Sequence, residues 1–435
     1  MSGLSRLDLR GNDFDLGEVL ARPDAGGEGT AALVREIVAA VREQGDAAVR
    51  RLTMRFDDAV VGELRVPADD VESALDGVPP AFRAALEYAR QEITAYHEAQ
   101  LDRQVVHLER DGVVAREIVV PVDRAGLYVP GGRAAYPSTV LMTAVPARVA
   151  GVHEMALCVP PDREGRVPRA TLAAAALAGV DEVYRIGGAQ AIAAMAYGTE
   201  SVRAVDVIVG PGNVYVAQAK REVAGVVGIE SLAGPSELVV VADDSARADL
   251  VAADLLAQSE HGPDGAAVLI TWSEPLAAAV DAAVAELLET ANRREEIEST
   301  LATGGRTVLV DGPEAAMAVV NTIAPEHLEL VTEDPDVLVP LVRHAGAVFC
   351  GPWAPAVVGD YVAGVNHVLP TARTARFASA LRVTDFQKHV HVVSLDEAAF
   401  TRVAPHMRVF ADVEGLDAHG RSVVLRQASR EAATP

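Results

Sequence analysis

An amide and an imidazole stand three residues apart, at Gln258 and His261, where an apolar helical run from Val251 to Ala257 meets a Gly-Pro break. On a period of 3.6 residues Val251, Leu255 and Gln258 share one face, and His261 lies one turn further on. We therefore expect both polar groups to extend the stripe that faces the core. Buried polar groups need partners, and a metal ion is one possible partner. A helix end with an ordinary buried histidine is the alternative.

A glutamate and a histidine are adjacent at Glu326 and His327, directly before the strand-like run Leu328–Val331. Histidine is the side chain whose usual pKa best suits a base near neutral pH, and a carboxylate beside it can activate water. The pair is therefore a candidate for acid–base chemistry, with a solvated loop pair as the alternative. Further polar candidates interrupt apolar surroundings at Asp360, His367, Glu414 and His419.

Glycines follow several strand-like runs, in segments that begin at Tyr128, Gly187 and Gly210. In doubly wound folds ligands bind at the carboxyl ends of strands, where glycine lets the backbone approach a ligand closely. The segment from Gly210 to Asn213 begins like a dinucleotide fingerprint but lacks the third glycine. The three segments together indicate a nucleotide site or, alternatively, plain turns.

Short apolar runs alternate with alanine-rich helical segments over most of the chain, and these elements must position the polar candidates. The predicted strands are 113–120, 155–159, 182–186, 205–209, 238–242, 266–271, 307–310, 328–331 and 347–350. Valine- and isoleucine-rich runs between helices are typical of parallel α/β sheets that are covered on both faces. The length favours two such sheets over one, with an irregular N-terminal arm and a mixed tail after Thr384.

The composition of the chain argues against some classes of binding partner. The 435 residues are 50% hydrophobic, so a large core can form, and the formal charge is 38 − 62 = −24. Such a charge argues against nucleic acid and anionic membranes as partners. Cys158 and Cys350 are the only cysteines, which excludes a disulfide framework and fits a reducing compartment. No signal-peptide core or membrane-length apolar run is present, so we expect a cytoplasmic protein.

With these segments in view, the chain resembles the histidinol dehydrogenase family over nearly its whole length. The family's long signature is similar to the segment from Ala233 to Gly262. Supporting segments begin at Gly126, Gly187, Gly210, Ala324, Gly359, Asn366, Asp385 and Glu414.

The resemblance implies a function for each group of candidates. It implies Zn²⁺, one ion per subunit, held by Gln258, His261, Asp360 and His419. It implies substrate contacts from Ser236, Gln258, His261, His327, Asp360, His367, Glu414 and His419, and cofactor contacts from Tyr128, Gln190 and Asn213. Mixed nitrogen and oxygen ligands without cysteine suit an open, substrate-binding zinc.

The reaction implied is the four-electron oxidation of L-histidinol to L-histidine with two NAD⁺, through an aldehyde that stays bound. His327 would take the hydroxyl proton and Glu326 would activate water for the second oxidation, while zinc orients the substrate. The resemblance also implies a homodimer in which a C-terminal arm carries Glu414 and His419 to the neighbouring subunit's site.

The implied fold is two Rossmann-like, doubly wound parallel-sheet domains of incomplete type with small terminal arms. The expected division is an N-terminal arm at 1–25, a first domain at 26–127 with 236–380, a second at 128–235, and a C-terminal arm at 381–435.

Some positions depart from the family's usual pattern. Glu230 stands where Asp is usual, Leu232 and Val365 replace prolines, and Ala372 with Arg373 replaces a Gly-Gly pair. The last change follows the predicted substrate contact His367 and bears on loop geometry. Two alternatives stay open: a related NAD-dependent dehydrogenase of another small amino alcohol or polyol, and a zinc hydrolase that uses water activated by Glu326.

Overall fold

The computed structural model describes residues 3–11, 16, 27–101, 106–131, 134–180, 182–231, 234–262 and 264–431. The chain divides into two compact units. The first consists of Met1–Leu101 and Val122–Phe386, and the second of Asp102–Pro121 and Gln387–Pro435. Much of the expected N-terminal arm lies outside the described residues, as do Gly132, Leu232 and Ala233.

The strands and helices follow each other in the alternation that the sequence predicts. The strands are β1 (Ser5–Asp8), β2 (His107–Arg110), β3 (Val113–Pro121), β4 (Arg124–Tyr128), β5 (Glu154–Val159), β6 (Glu182–Arg185), β7 (Val207–Val209), β8 (Gly228–Ile229), β9 (Glu237–Ala242), β10 (Ala266–Thr271), β11 (Gly305–Leu309), β12 (His327–Val331), β13 (Ala347–Cys350) and β14 (Gln387–Leu395).

The helices are α1 (Glu28–Asp57), α2 (Ala68–Glu72), α3 (Pro80–Ala99), α4 (Pro137–Ala150), α5 (Arg169–Leu177), α6 (Gly188–Tyr197), α7 (Val214–Val223), α8 (Ala248–Ser259), α9 (Glu274–Leu288), α10 (Arg294–Gly304), α11 (Pro313–Ile323), α12 (Ala356–Tyr361), α13 (Glu397–Val413) and α14 (Asp417–Glu431). Short 3-10 turns occur at Pro335–Val337, Val339–Leu341, Thr374–Arg376 and Val383–Phe386.

One parallel sheet of the first unit has the strand order β6-β5-β4-β7-β8. The chain moves outward from β4 to β6 and then returns to the other side of β4 at β7. The order therefore reverses between β4 and β7, as in an incomplete Rossmann sheet. Helices α4 and α6 are buried along almost their whole length because alanine and valine let them pack closely on the sheet.

A second parallel sheet has the order β1-β11-β10-β9-β12-β13 and reverses between β9 and β12. Strands β9, β10 and β12 are buried at every position, which explains their continuous apolar runs. Strand β1 differs from the expected irregular arm, because Ser5–Asp8 pairs with Arg306–Leu309 as an edge strand.

The predicted α/β class with two doubly wound parallel sheets is confirmed. The predicted strands 266–271 and 347–350 coincide with β10 and β13, whereas β7 begins two residues later than expected. The four-part division of the chain stays a prediction. None of the described helices is long and apolar enough to cross a membrane.

The second unit contains an antiparallel sheet, which the mixed sequence pattern after Thr384 did not predict. Its strand order is β14-β3-β2, and α13 and α14 follow β14. His389 and His391 alternate along β14, and a ring nitrogen of each lies 3.2 Å from a carboxylate oxygen of Glu117 on β3.

The loop that follows His367 contains two adjacent residues with left-handed backbone. Ala372 has φ 51° and Arg373 has φ 68°. These are the positions where the resemblance leads one to expect glycine, which adopts this conformation without steric cost. The backbone N–H of Ala372 donates to Glu237 Oε1 at 3.2 Å, so the loop keeps a glycine-like shape while carrying side chains.

Replacing Ala372 by glycine should therefore stabilise the protein by about 1 kcal/mol, because the left-handed conformation no longer costs steric strain. Urea-induced unfolding of Ala372→Gly measures the change. Ala363→Gly is the matched control, since Ala363 is also exposed in a loop but its φ is not positive. That control should lose stability, and an equal loss in both variants would contradict strain at Ala372.

Candidate active site

The amino ends of two neighbouring strands bring the catalytic candidates together. β9 and β12 pair in parallel with His327 opposite Leu238, so the residues that precede the two strands are also neighbours. The backbone N–H of Glu237 donates to Glu326 Oε2 at 3.0 Å, and His327 Nδ1 lies 3.2 Å from the carbonyl oxygen of Glu237. The pair is thus held by the adjacent strand, and both side chains are buried.

The hydrogen bond of His327 determines which ring nitrogen can act as a base. A carbonyl oxygen only accepts, so Nδ1 must carry the hydrogen that is donated to Glu237. The neutral ring then has its lone pair on Nε2, which lies 3.9 Å from Asp360 Oδ1. The basic nitrogen therefore points toward the part of the site that contains Asp360.

Burial changes the acidity of Glu326. Removal from water raises the pKa of its carboxyl group, and the charge of Asp360 raises it further. His327 and hydrogen bonds from Ser236 and the Glu237 backbone act in the opposite direction. A carboxyl group whose pKa is raised toward neutrality is a stronger base when ionised, which suits activation of water.

Three of the four predicted metal ligands line one small cavity. Gln258 is buried near the end of α8, His261 is exposed in the turn after α8, and Asp360 lies near the end of α12. The expectation that His261 faces the core is therefore wrong, because α8 ends at Ser259 and the chain turns before reaching it. The expectation that Gln258 is buried is confirmed.

The side chain of Gln258 leaves capacity for a ligand. Its Oε1 accepts a hydrogen bond from Ser236 Oγ at 3.4 Å, while its buried Nε2 has no partner among the described residues. Within the same described part of the chain, no group of three or more His, Cys, Asp or Glu side chains is placed to hold a metal ion. His261, Asp360 and the amide of Gln258 line the cavity together with the carboxyl groups of Asp254 and Glu329.

His367 is fixed by hydrogen bonds at both ring nitrogens. Its Nδ1 donates to the backbone oxygen of Asp360 at 2.9 Å, so Nε2 accepts from Thr139 Oγ1 at 3.1 Å. Burial lowers the pKa of His367, and the nearby imidazoles of His327 and His261 lower it further, against the charge of Asp360. The ring is therefore neutral and firmly oriented beside the other candidates.

A carboxyl pair, Glu329 (buried) and Asp254 (half-buried), lies against the same cavity and was missed in the sequence. Glu329 on β12 accepts the Ala356 N–H at 2.6 Å and is hydrogen-bonded to Asp254 on α8. Burial, reinforced by Asp254, raises the pKa of Glu329 to about 8. The signal was a single charged residue inside a fully buried strand, where a carboxyl group needs a partner.

The predicted cofactor contacts surround the point where the order of the five-stranded sheet reverses. Tyr128 ends β4, Asn213 caps the start of α7 beyond β7, and Gln190 lies in the first turn of α6. Tyr128 and Gln190 are buried, and the Tyr128 hydroxyl accepts the Gly188 N–H at 3.0 Å. The Gln190 Nε2 has no hydrogen-bond partner in the described structure.

Glu414 and His419 belong to the second unit. Glu414 caps the end of α13, and His419 lies in the first turn of α14. Both side chains are exposed within this chain. Their assignment to a neighbouring subunit's site stays a prediction.

The two sheets thus present two kinds of chemistry. At the amino ends of β9 and β12 there are an oriented imidazole, a carboxyl group of raised pKa and a cavity with nitrogen and oxygen ligands. At the carboxyl ends of β4 and β7 there are glycine loops where a nucleotide can approach the backbone. This combination suits proton abstraction coupled to hydride transfer.

Comparison with known proteins identifies the relatives of this chain. The model of the histidinol dehydrogenase family matches residues 20–427. The chain is 49% identical over 413 residues to histidinol dehydrogenase of Moorella thermoacetica, covering 94% of this chain and 96% of the relative. It is 51% identical over 394 residues to that of Parasynechococcus marenigrum, covering 90% and 89%.

A solved structure agrees over the whole chain. The crystal structure of histidinol dehydrogenase from Elizabethkingia anophelis superposes with a TM-score of 0.93 at 32% sequence identity. The match covers 98% of this chain and 99% of that one.

The raised pKa of Glu329 predicts how stability depends on pH. Its usual value is 4.5, so between about pH 4.5 and 8 the folded protein keeps a proton that the unfolded chain has released. The contribution of Glu329 to stability is present at low pH and is lost as the pH rises through this window. Glu329→Gln should remove the part of this fall that Glu329 causes, because the amide donates to Asp254 at every pH, while the raised pKa of Asp254 leaves a smaller fall.

Urea unfolding midpoints measured from pH 5 to 8.5 provide the measurement. Glu295→Gln, at an exposed site on α10, is the control and should follow the wild-type profile. The same slope for wild type and Glu329→Gln would contradict a proton held at this pair.

Proposed function

Because this chain belongs to the histidinol dehydrogenase family, we propose that it oxidises L-histidinol to L-histidine with two NAD⁺ and a bound zinc ion. The observation that carries this proposal is the arrangement at the amino ends of β9 and β12. There an oriented imidazole base and a carboxyl group of raised pKa lie beside a cavity lined by three predicted metal ligands. The family consists of NAD-dependent oxidoreductases, and the proposal concerns how this chain's residues act.

His327 serves the first oxidation as the base. Its Nε2 carries the lone pair and takes the hydroxyl proton of histidinol, and bound NAD⁺ would supply the acceptor for the hydride that leaves the same carbon. The products of this step are the aldehyde, NADH and one proton. Hydrogen bonding of Nδ1 to the Glu237 carbonyl keeps the ring in the tautomer that this role requires.

Glu326 serves the second oxidation. Its carboxylate removes a proton from water, and the resulting hydroxide oxygen attacks the aldehyde carbon to give the anion of the hydrate. Hydride transfer to the second NAD⁺ and loss of a proton then give the carboxylate of histidine. The buried surroundings that raise the pKa of Glu326 make its ionised form a stronger base.

Zinc fits the donor set of the cavity. Gln258, His261 and Asp360 would hold it together with His419, and when bound it would orient the substrate as a template. The second lone pair of Gln258 Oε1, which accepts one hydrogen bond from Ser236, and the shared cavity support this assignment. Ser236, His367 and Glu414 would hold the remaining parts of histidinol.

NAD⁺ is proposed to bind where the five-stranded sheet reverses its order. Tyr128, Gln190 and Asn213 come from the ends of β4, β6 and β7, which is the position at which doubly wound sheets bind nucleotides. The glycines of these segments replace the usual dinucleotide fingerprint.

A cytoplasmic homodimer with shared sites is proposed for the assembly. Glu414 and His419 are exposed in the second unit, and α13 also exposes apolar side chains at Val409, Phe410 and Val413. An exposed apolar surface of this kind suits contact with another protein surface, and a second copy of the chain would bring both polar residues to a site.

Absorbance of NADH on addition of histidinol and zinc tests the proposed reaction directly. We expect two NADH per histidinol consumed, with histidine as the product. Absence of NADH from a zinc-loaded protein would contradict the proposal. NADH formation from other small amino alcohols, but not from histidinol, would favour the related dehydrogenase, and hydrolysis without NAD⁺ would favour the zinc hydrolase.

Substitution of the two bases should separate the two oxidations. His327→Ala should lower kcat with histidinol by roughly 10²–10⁴-fold, since a positioned general base contributes that much. Glu326→Gln should slow oxidation of the aldehyde far more than oxidation of the alcohol. NADH formation is measured separately with each substrate, and His153→Ala at an exposed position is the control. Equal slowing of both steps in Glu326→Gln would refute the division of roles.

Hybrid dimers test the shared site. In a dimer of one His327→Ala chain and one His419→Ala chain, one site loses both residues and the other retains both. Coexpression with two affinity tags isolates the hybrid, whose activity should rise well above that of either variant alone. An inactive hybrid of verified composition would place His419 in the site of its own chain.

A further inference from the structure

A buried ion pair stands behind the loop that carries Asn213. The side chains of Lys220 and Glu230 are 1% and 3% exposed, and Lys220 Nζ lies 2.7 and 2.9 Å from the two carboxylate oxygens of Glu230. Lys220 comes from α7, and Glu230 directly follows β8. Neither residue is among the catalytic, metal or cofactor contacts proposed above.

The pair binds both backbone polar groups of Gly210. Lys220 Nζ donates to the Gly210 carbonyl oxygen at 2.6 Å, and Glu230 Oε1 accepts the Gly210 N–H at 2.7 Å. The ammonium group has three hydrogens, and the carbonyl and the two carboxylate oxygens of Glu230 use all three. Lys220 therefore has no donor left for a phosphate, and its effect must be exerted through the loop.

Gly210 occupies a conformation that requires glycine. Its φ is 116°, and a Cβ atom at this position would lie 2.0 Å from the carbonyl oxygen of Tyr128. The loop after β7 therefore lies directly against the end of β4. Fixing Gly210 fixes the relative position of the two strand ends between which the sheet reverses its order.

The same pair also fixes the helix that follows the loop. Asn213 caps α7 by accepting the N–H groups of Tyr215 and Val216 at 3.1 and 3.2 Å. Lys220, seven residues further along this helix, reaches back to Gly210. The hydrogen bond from Lys220 therefore links the helix to the start of the loop, and Glu230 binds both to the segment after β8.

We propose that the buried Lys220–Glu230 pair positions the Gly210–Asn213 loop for binding of the nicotinamide dinucleotide. The inference rests on the function proposed above and assigns two positioning residues to its cofactor site. Burying two charges costs hydration energy that their attraction barely offsets, so apolar residues of similar size would stabilise the core as well. What apolar residues lack is hydrogen bonding to both polar groups of Gly210.

The double variant Lys220→Met/Glu230→Leu is the main test, because it removes both charges together and leaves neither unpaired. We expect a folded zinc-binding protein whose KM for NAD⁺ rises on the order of 10-fold, since small misplacements of binding groups have effects of this size or larger. Its KM for histidinol and its zinc content should stay within twofold of wild type. Binding of NAD⁺ to the protein without substrate, measured by calorimetry, should weaken by the same factor.

A second variant tests the role of hydrogen bonding. Glu230→Asp keeps the charge and the acceptor oxygens on a shorter side chain, so it should recover most of the affinity for NAD⁺ that the double variant loses. If it recovers none, positioning through the carboxylate is refuted.

Arg124 and Glu182 provide a matched control. They form an ion pair with Arg124 buried, at the starts of β4 and β6 in the same sheet, which is the end opposite to Tyr128. Arg124→Met/Glu182→Leu should change stability without changing the KM for NAD⁺.

The outcomes separate this inference from the proposed function. Wild-type protein that forms no NADH from histidinol overturns the function and the inference together. Active wild type with an unchanged KM for NAD⁺ in the folded Lys220→Met/Glu230→Leu variant overturns the inference alone. Equal rises in the KM values for NAD⁺ and histidinol, or a rise in the control, would show a general structural effect and would also overturn it.

Discussion

The parallel pairing of β9 with β12 is the constraint on which the proposed active site depends. These strands are far apart in sequence, yet their register places His327 opposite Leu238 and lets the Glu237 backbone bind both Glu326 and His327. One backbone unit thereby anchors the carboxylate through its N–H and sets the tautomer of the imidazole through its carbonyl. Because backbone atoms of a buried strand move little, the main chain preorganises the two bases, and Ser236 adds a hydrogen bond to Glu326.

Apart from the edge strand β1, the two parallel sheets share a strand order, but they present their functional residues at opposite ends. In the five-stranded sheet the predicted cofactor contacts follow the carboxyl ends of β4, β6 and β7, as expected for a doubly wound fold. In the six-stranded sheet Glu326 and Ser236 precede β12 and β9, so the chemistry lies at the amino ends. Helix α8 runs antiparallel to these strands, which brings its C-terminal end and Gln258 to the same edge.

Burial shifts the pKa values of the titratable groups in the site so that each group's uncharged form is favoured. It raises the pKa of Glu326 and Glu329 and lowers that of His367. A neutral imidazole is the form that can accept a proton, and a carboxyl group with a raised pKa is a stronger base when it is ionised. The same burial that gives the core its stability therefore adjusts the acid–base properties of the site.

The sequence was most informative where a pattern is local. Periodicity predicted the buried Gln258 and nine of the fourteen strands in the described residues, because burial on two faces requires continuous apolar runs. Periodicity failed for His261, since the position at which a helix ends depends on one or two residues. It also could not predict that Asp254 pairs with Glu329 or that Lys220 pairs with Glu230. Each of those pairs joins segments whose proximity is set by strand order, which local composition does not encode. A charged residue inside an apolar run, such as Glu329, indicates that a buried partner must exist, but only the three-dimensional arrangement identifies it.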